Sequence, residues 1–480
     1  MNDKLGFKKH FRIEICNKES LVFLLSESEN FVLKGKIYTE LAQLLDGTKD
    51  MDDIVDRLMP VIPPEKVYYA LTIMEEKGYI TELGSDLPDR EYAYWHQSGV
   101  TDKEISQTLS HTNVYVKSLS SRVGSSSLLS AVQSLGMNAI TEEIPMEQGP
   151  AGHTMSLYIV DDYLQAELEE INREALKTNR PWMIIKPMGS MIWIGPIFIP
   201  GMTGCWECLA DRLRAKRDIH LFIQTEKNTT DPLITSIGAL PSTLAMAWQT
   251  AAHHIALWAV KRELTPLTGK VISLNTLTLQ HEDHVLIKRP QCSLCGSGKL
   301  PHKPVTLIPQ RKNFILGSGH RTCSAEETYR RYSHHVSSIS GVVDCLIPTH
   351  SDGNDLIHVY FAGHNFAMRQ QSMAMLEKHI RSLSAGKGTT DVQAKTGALC
   401  EAIERYCGLY QGDEHTELAE YSRIKDKAIW PNDCMNYSEE QFKNRHISNQ
   451  DCQHFQIVTD PFDENVPVEW TPVWSMTRKA

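Results

Sequence analysis

Hydrophobic and polar positions alternate in two short runs near the start of the chain, FRIEIC (11–16) and LVFLLS (21–26), and this period of two predicts a pair of strands. The period then changes. KIYTELAQLLDG spaces its apolar residues three and four apart and meets Gly47, which predicts a helix with a glycine stop. DMDDIVDRLM predicts a second helix, with acidic residues in the first turn where the helix dipole favours them. PPEKVYYALTIMEEKG predicts a third, with proline at its start and Gly78 at its end, and YITEL (79–83) predicts a closing strand. Two strands, three helices and a wing-like strand predict a winged-helix-like module over residues 1–84. Its third helix carries a mixed face of Glu65, Lys66, Glu75, Glu76 and Lys77, which argues against DNA. Capture of an extended peptide along a strand edge is the alternative use of such a module.

GSDLPDRE (84–91) reads as a linker. Over roughly 90–305, NVYVKSL, SLYIVDDY, WMIIKPM, MIWIGPIFI and GKVISLNTLTL are strand-like. LLSAVQSLG, LQAELEEINREALK, WECLADRLRAKR and STLAMAWQTAAHHIALWAVKREL are helix-like. Strands alternating with helices predict an α/β layer of Rossmann-like shape. It carries neither GxGxxG after a strand nor GxxxxGK[ST], so no dinucleotide or P-loop site is predicted there. A third region begins at RKNFILGSGHRT (311–322) and runs through FAGHN (361–365) and AGKGTTDVQAKTGALCEAIERYCG (385–408) to EWTPVW near the end. No internal repeat is visible.

Length changes this picture little: 480 residues at about 150 per domain predict about three domains. A hydrophobic fraction of 41% with 22% charged residues excludes disorder along the whole chain. The net charge of −10, from 49 basic and 59 acidic residues, argues against nucleic acid as a partner. No apolar run approaches the ~20 residues of a membrane span, and no membrane partner is expected. The first residues, MNDKLGFKKHFRIEIC, lack the apolar stretch of a secretory signal. Eleven cysteines, an odd number in a signal-less chain, imply a reducing, cytoplasmic setting with free thiols or metal ligands.

Four of those cysteines fall in two CxxC pairs, Cys205 with Cys208 and Cys292 with Cys295, flanked by Gly204 and Gly296. Each pair can grip one edge of a tetrahedral Zn²⁺, and two pairs close a Cys₄ site with no position left for water. Such zinc is structural, and it would pin a helix start at 205–217 to a distant loop. A redox dithiol is the weaker alternative, and buried hydrophobic thiols the plainest one. Cys16, Cys323, Cys345, Cys400, Cys407, Cys434 and Cys452 show no ligand spacing. The pairs His253-His254 and His334-His335, each expected within a helix, read as surface or satisfied core. On the helix expected over 394–408, Glu401 and Glu404 are three apart and share a face, which suits Mg²⁺ bridging to phosphate. Gly386-Lys387-Gly388 upstream offers a flexible backbone and one cation. By pattern alone a solvated glutamate face with an ordinary Glu–Arg pair is the better reading of Glu401 and Glu404 than a metal role.

The third region resembles the YcaO family of ATP-dependent peptide cyclodehydratases. The resemblance rests on GKGTT (386–390), on ALCEAIERY (398–406) with its Glu-x-x-Glu-Arg core, and on Arg321 and Thr328 in RTCSAEET. With the double CxxC in front and EWTPVW at the end, the whole chain is similar to the fused heterocyclases of cyanobactin and related thiazole- and oxazole-modified peptide biosynthesis. That resemblance implies a leader-peptide recognition module over 1–84, with the leader of a ribosomal precursor peptide added as a strand beside residues 21–26 and packed on the 64–77 helix. It implies a ubiquitin-activating-enzyme-like α/β domain with a Cys₄ zinc site over 90–305, which has lost its own ATP site. It implies the N-terminal part of a YcaO α+β domain over 311–480, and it suggests homodimers.

The implied chemistry is cyclodehydration. A substrate Cys thiol, or a Ser or Thr hydroxyl, attacks the preceding backbone carbonyl to give a hemiorthoamide adduct. Phosphorylation of its oxygen by ATP lets that oxygen leave as phosphate, giving a thiazoline or an oxazoline. By resemblance Glu401 and Glu404 hold Mg²⁺, Arg321, Thr328 and Lys387 contact ATP, and Arg405 orients the Glu pair. No residue is assigned as the acid or base. Family members often carry Ser four residues before the first Glu, and Gly397 offers no hydroxyl there. The family's chain continues well past EWTPVW, so a C-terminally truncated chain is expected at Ala480. Two other readings stay open: a leader-binding scaffold without catalytic activity, and an adenylating enzyme with a nucleotide site in 90–305.

Overall fold

The computed structural model describes the chain except residues 1–3, 85, 102–104, 142–153, 262–264, 299–307, 312–313, 317–318, 350–355, 365–382, 451–456, 476 and 478–480. Cys452 therefore lies outside the described residues. The fold is mixed α/β. Two compact units form, one on Met1–Ile287 with His334–Cys345, the other on Lys288–Ser333, Leu346–His364 and Leu383–Ala480.

The first unit opens as a winged-helix module. Its elements are β1 (Leu5–Phe7), β2 (Arg12–Cys16), β3 (Leu21–Leu25), β4 (Asn30–Lys34), α1 (Lys36–Leu44), β5 (Asp46–Lys49), α2 (Met51–Leu58), α3 (Pro64–Glu76) and β6 (Ile80–Glu82). Val22 and Leu24 alternate inward from β3 and meet Leu41, Ile54 and Leu71 of the helices in one core. Asp50 caps α2 by accepting the Asp53 N–H at 2.8 Å, and α3 begins on Pro64. The helix over KIYTELAQL ends at Leu44, so Gly47 does not stop it. Gly47 sits instead in β5 with φ +81, a conformation that only glycine takes readily. One antiparallel sheet has the order β2-β3-β4 and a second the order β5-β1-β6. β3 is thus paired along both sides, with Leu24 opposite Ile13 on β2 and opposite Phe31 on β4. The expected leader strand beside residues 21–26 has no free edge to join, and β2 and β4 carry the open edges.

The linker expectation for 84–91 also changes. α4 (Asp89–Gln97) begins inside it, because Tyr92 and Trp95 are buried in the next core. That core covers one face of a seven-stranded sheet ordered β13-β12-β11-β10-β9-β7-β8. The strands are β7 (Asn113–Ser118), β8 (Asn138–Ile140), β9 (Thr154–Ile159), β10 (Trp182–Lys186), β11 (Met191–Phe198), β12 (Lys270–Asn275) and β13 (His281–Val285). Pairing is parallel from β8 through β7 and β9 to β10, and antiparallel beyond. The helices are α5 (Ile105–Ser110), α6 (Ser126–Gln133), α7 (Glu167–Thr178), α8 (Trp206–Ala215), α9 (Asp218–Glu226) and α10 (Pro241–Lys261). Ala247, Ala251, Ala252 and Ala256 let α10 lie close on its neighbours in the core.

Chain order reverses between β7 and β9, the place where a parallel sheet usually binds a nucleotide beyond its strand ends. At the ends of β7, β9 and β10 the chain's own polar groups pair with one another. Asp161 accepts from the Ser120 hydroxyl at 2.6 Å and the Ser121 N–H at 3.1 Å. Arg217 donates from Nη1 to both oxygens of Asp162 at 2.7 and 2.8 Å. Lys186 donates to Ser236 Oγ at 2.9 Å, and burial pushes its ammonium down to about 8.

The second unit starts with the hairpin β14 (Phe314–Leu316) and β15 (Gly319–Arg321), followed by α11 (Ala325–Tyr332), whose cap Ser324 accepts the Glu327 N–H. β16 (Cys345–Pro348), β17 (His358–Gly363) and β18 (Leu383–Gly388) form a sheet in that order. α12 (Asp391–Cys407) packs on β18 and β17. β19 (Glu417–Ala419) pairs with β20 (Val468–Trp470). His334 and His335 lie in a 3₁₀ turn rather than an α-helix. Among the described residues, no helix is long and apolar enough to cross a membrane.

Candidate nucleotide and metal sites

α12 is held by one apolar stripe. Ala394, Ala398, Leu399 and Ala402 are fully buried, and Thr396 donates to the Ala325 carbonyl of α11 at 3.0 Å. Its approach to β18 is unusually close at Gly386. A Cβ there would lie 2.1 Å from the Ala394 carbonyl oxygen and 2.1 Å from the Ala398 nitrogen. Gly386 therefore sits in a strand packed against a helix, and the flexible backbone expected from Gly386-Lys387-Gly388 is a paired strand instead. Gly397 faces it, and a Cβ on Gly397 would lie 3.2 Å from the Gly386 Cα.

This packing places the carboxylates. Glu401 accepts the Ala385 N–H at 3.3 Å and takes Arg405 on its other oxygen at 2.7 Å. Glu404, one turn on, is exposed. Burial pushes the Cys400 thiol up, and the Arg321 guanidinium opposes the shift. Glu401 and Glu404 lie on successive turns of α12. Thr328 lies on the neighbouring α11, its hydroxyl donating to the Ser324 carbonyl at 2.8 Å. Lys387 is exposed, and strand alternation sets it on the face of β18 opposite Gly386 and α12. Two carboxylates on successive turns are hard oxygen donors of the kind Mg²⁺ takes alongside phosphate.

Two contacts here left no trace in the sequence pattern. One is the Ala385 N–H on Glu401. The other is Tyr360, which donates to Asp391 at 2.6 Å while Lys395 pairs with the same carboxylate at 2.8 Å. Only the four-residue spacing of Asp391 and Lys395 was open to a sequence reading.

The cysteine pairs are set by two local devices. Cys205 is the extended residue before α8, and the Trp206 N–H and indole N–H donate to Asn172 and to the Tyr163 carbonyl at 3.0 and 2.8 Å. Cys292 and Cys295 lie in a tight turn closed by the Gly296 N–H on the Cys292 carbonyl at 2.9 Å. A Cβ on Gly296 would meet the Pro290 oxygen at 2.2 Å, so glycine is required there. The four sulphurs lie within 4.8 Å of one another, all buried except the half-buried Cys295, and can hold a metal ion. Soft thiolates in this number fit Zn²⁺.

The YcaO family, described as cyclodehydratases that bind ATP and Mg²⁺, matches residues 385–480. A winged helix-turn-helix domain family matches residues 6–82. Among solved structures, a heterocyclase in complex with substrate and cofactor is 34% identical, with a TM-score of 0.89, over 99% of this chain and 64% of its own. The heterocyclase TruD is 30% identical, with a TM-score of 0.76, over 99% of this chain and 62% of its own. The chain thus spans a little under two thirds of the length of these two relatives. A search of the curated proteins finds no match.

Proposed function

We propose that this chain, a YcaO cyclodehydratase of the TruD type by sequence and fold, carries out ATP-dependent cyclodehydration of Cys, and by the same chemistry Ser or Thr, in a ribosomal precursor peptide. The observation that carries the reading is the pair Glu401 and Glu404 on successive turns of α12, with Glu401 held by the Ala385 N–H, inside the segment that matches an ATP- and Mg²⁺-binding family.

In the proposed reaction the substrate thiol gives up its proton to solvent and its sulphur adds to the preceding amide carbon. A sulphur–carbon bond forms and the carbonyl oxygen takes the charge. That oxygen attacks the γ-phosphorus of ATP, and the bond to the β-phosphate oxygen breaks, leaving ADP. The amide nitrogen then forms the ring C=N bond, loses its proton, and phosphate departs. Protein catalysis of such a transfer is chiefly positioning and charge stabilisation. Glu401 and Glu404 would hold Mg²⁺, which supplies charge neutralisation on the phosphates when bound. Arg405 steadies Glu401 through its ion pair, and the Arg321 fork suits phosphate oxygens. Thr328 is a further nucleotide contact in this reading. Lys387 joins them only by reaching around β18.

The proposed division of labour follows the sequence: leader recognition by 1–84, an α/β domain with structural zinc on Cys205, Cys208, Cys292 and Cys295 over 90–305, and nucleotide chemistry in 311–480. For the leader, β4 is the better of the two open edges. β2 presents the ion pair of Arg12 and Glu14 along its exposed face, and charged residues blunt an edge. β4 presents Val32, which is 56% exposed.

The test is to incubate the chain with a leader-bearing core peptide and Mg-ATP and to follow mass. Loss of one water per closed Cys, with ADP and phosphate released, supports the reading. Leader binding with no loss of water replaces it with a recognition scaffold. Release of AMP and pyrophosphate would point to adenylation instead.

A further inference from the structure

Tyr115 on β7, Tyr158 on β9 and Trp182 on β10 share one face of the seven-stranded sheet. Register sets Tyr115 and Trp182 on either side of Ser156, with Tyr158 one row further on. Strand alternation turns their neighbours Val114, Leu157 and Met183 to the other face, into the core already described. The three rings are buried and meet edge to face. Tyr158 lies 6.2 Å from Tyr115 and 5.9 Å from Trp182 between ring centroids.

These rings line a cavity of about 670 Å³, contained within the unit built on Met1–Ile287. Small-molecule sites span roughly 300–1,000 Å³. The second wall is α7. Glu167, Glu170 and Glu174 line it, and their spacing of three and four residues sets them on one helix face. The buried residues of α7 are Leu168, Asn172 and Ala175, so all three glutamates lie outside its packed stripe.

The charges of the lining do not cancel. Lys117, level with Tyr158, and Arg180, two residues before Trp182, lie toward opposite ends of the floor. Three carboxylates against these two cations leave one negative charge in excess. Among the described residues Glu167 and Glu174 have no ion-pair partner, and Glu170 has Arg173 at 3.9 Å. We propose that this cavity binds a small organic monocation, an amine carried on an aromatic body. The body rests on the rings, and its ammonium group lies between them and the glutamates of α7. Ring faces attract a cation, and the carboxylates add to that attraction. A neutral guest of the same shape leaves the excess charge unanswered, and an anionic one is repelled by it. The plainer alternative is that Lys117 folds onto the glutamates and closes the charge itself. The inference is independent of the reading of Glu401 and Glu404.

Calorimetry on the full chain at neutral pH separates the two, with three indoles as probes: tryptamine, its neutral analogue tryptophol, and the anion indole-3-acetate. Tryptamine should bind saturably with one site per chain. Tryptophol should bind at least ~10-fold more weakly and indole-3-acetate not at all. Glu167→Gln and Glu174→Gln change exposed side chains and leave the fold intact, and each should weaken tryptamine about fivefold, as for a partly exposed charge pair. Glu169→Gln, on α7 but outside the lining, should leave its affinity unchanged. Lys117→Gln should tighten it by removing a competing cation. Equal binding of tryptamine and tryptophol, or a loss in Glu169→Gln equal to that in Glu167→Gln, would overturn the cation site. So would saturable tryptamine binding that appears only in Lys117→Gln, since Lys117 would then be the natural occupant.

Discussion

At the scale of single residues, Gly386 and Glu401 answer to the same contact. β18 can run along α12 only because position 386 has no side chain, and that approach brings the Ala385 N–H to Glu401. Gly386→Ala puts a methyl against two backbone atoms that cannot swing aside. Strand and helix must separate, and we expect a loss of at least ~3 kcal/mol in chemical denaturation, at the upper end of single-residue effects. A melt unchanged from the parent would mean that the close approach is absent in solution. The carboxylates behave oppositely. Glu401→Gln weakens an ion pair whose arginine side is half exposed, worth about 1 kcal/mol or less, so the melt should barely move. Mg-nucleotide affinity should fall at least ~10-fold in Glu401→Gln and in Glu404→Gln, as for a lost charged ligand. Unchanged affinity in both would remove the assignment. The two glutamates and the cysteine pairs were legible in the sequence because their geometry is local: three residues on a helix, two residues within a pair. The role of Gly386 was not legible, since what excludes a side chain there lies in a different element.

Elements were legible in proportion to their length and period. The long helices α3, α7, α10 and α12 carry several turns of apolar spacing, and β7, β9, β10 and β11 carry dense apolar runs. β1 and β8 have three residues each, too few to show a period. β13 reads HEDHV and has almost no apolar residue; its pairing with β12 makes it a strand. Tertiary pairing also decides which strand a peptide can join. β3 has the strongest strand pattern of the module and is the one strand of its sheet closed on both sides. If the leader docks on β4, Val32→Asp places a charge on the receiving edge and should weaken a fluorescent leader peptide by roughly tenfold or more, while Glu14→Ala on β2 leaves it unchanged. The reverse pattern, read by anisotropy, would move the docking edge to β2.

At the scale of the whole molecule, metal and protons test the fold by different routes. If the four thiolates hold zinc, the purified chain should carry one ion, and Cys292→Ser should abolish it and lower the melting temperature, because a structural zinc site contributes folding free energy directly. Elemental analysis finding no zinc in fresh protein would sink the assignment. Protons act elsewhere. Burial holds His96, His254 and His335 down to about 4, with neighbouring cations or a second histidine adding to the effect. Each ring is neutral when folded, whereas the unfolded chain takes up its protons near pH ~6.5. Between about 6.5 and about 4 the unfolded state therefore binds more protons, and stability must fall as pH falls through that window. His96 has a second reason to resist. Its Nδ1 accepts the Lys9 N–H at 2.9 Å, tying the N-terminal module to α4, and a proton on that nitrogen removes the acceptor. Urea melts from pH ~7 down to ~4.5 should show this loss, and His96→Gln should lower stability at the upper end while flattening the slope. A variant slope equal to that of the parent would mean that His96 does not take up its proton on unfolding.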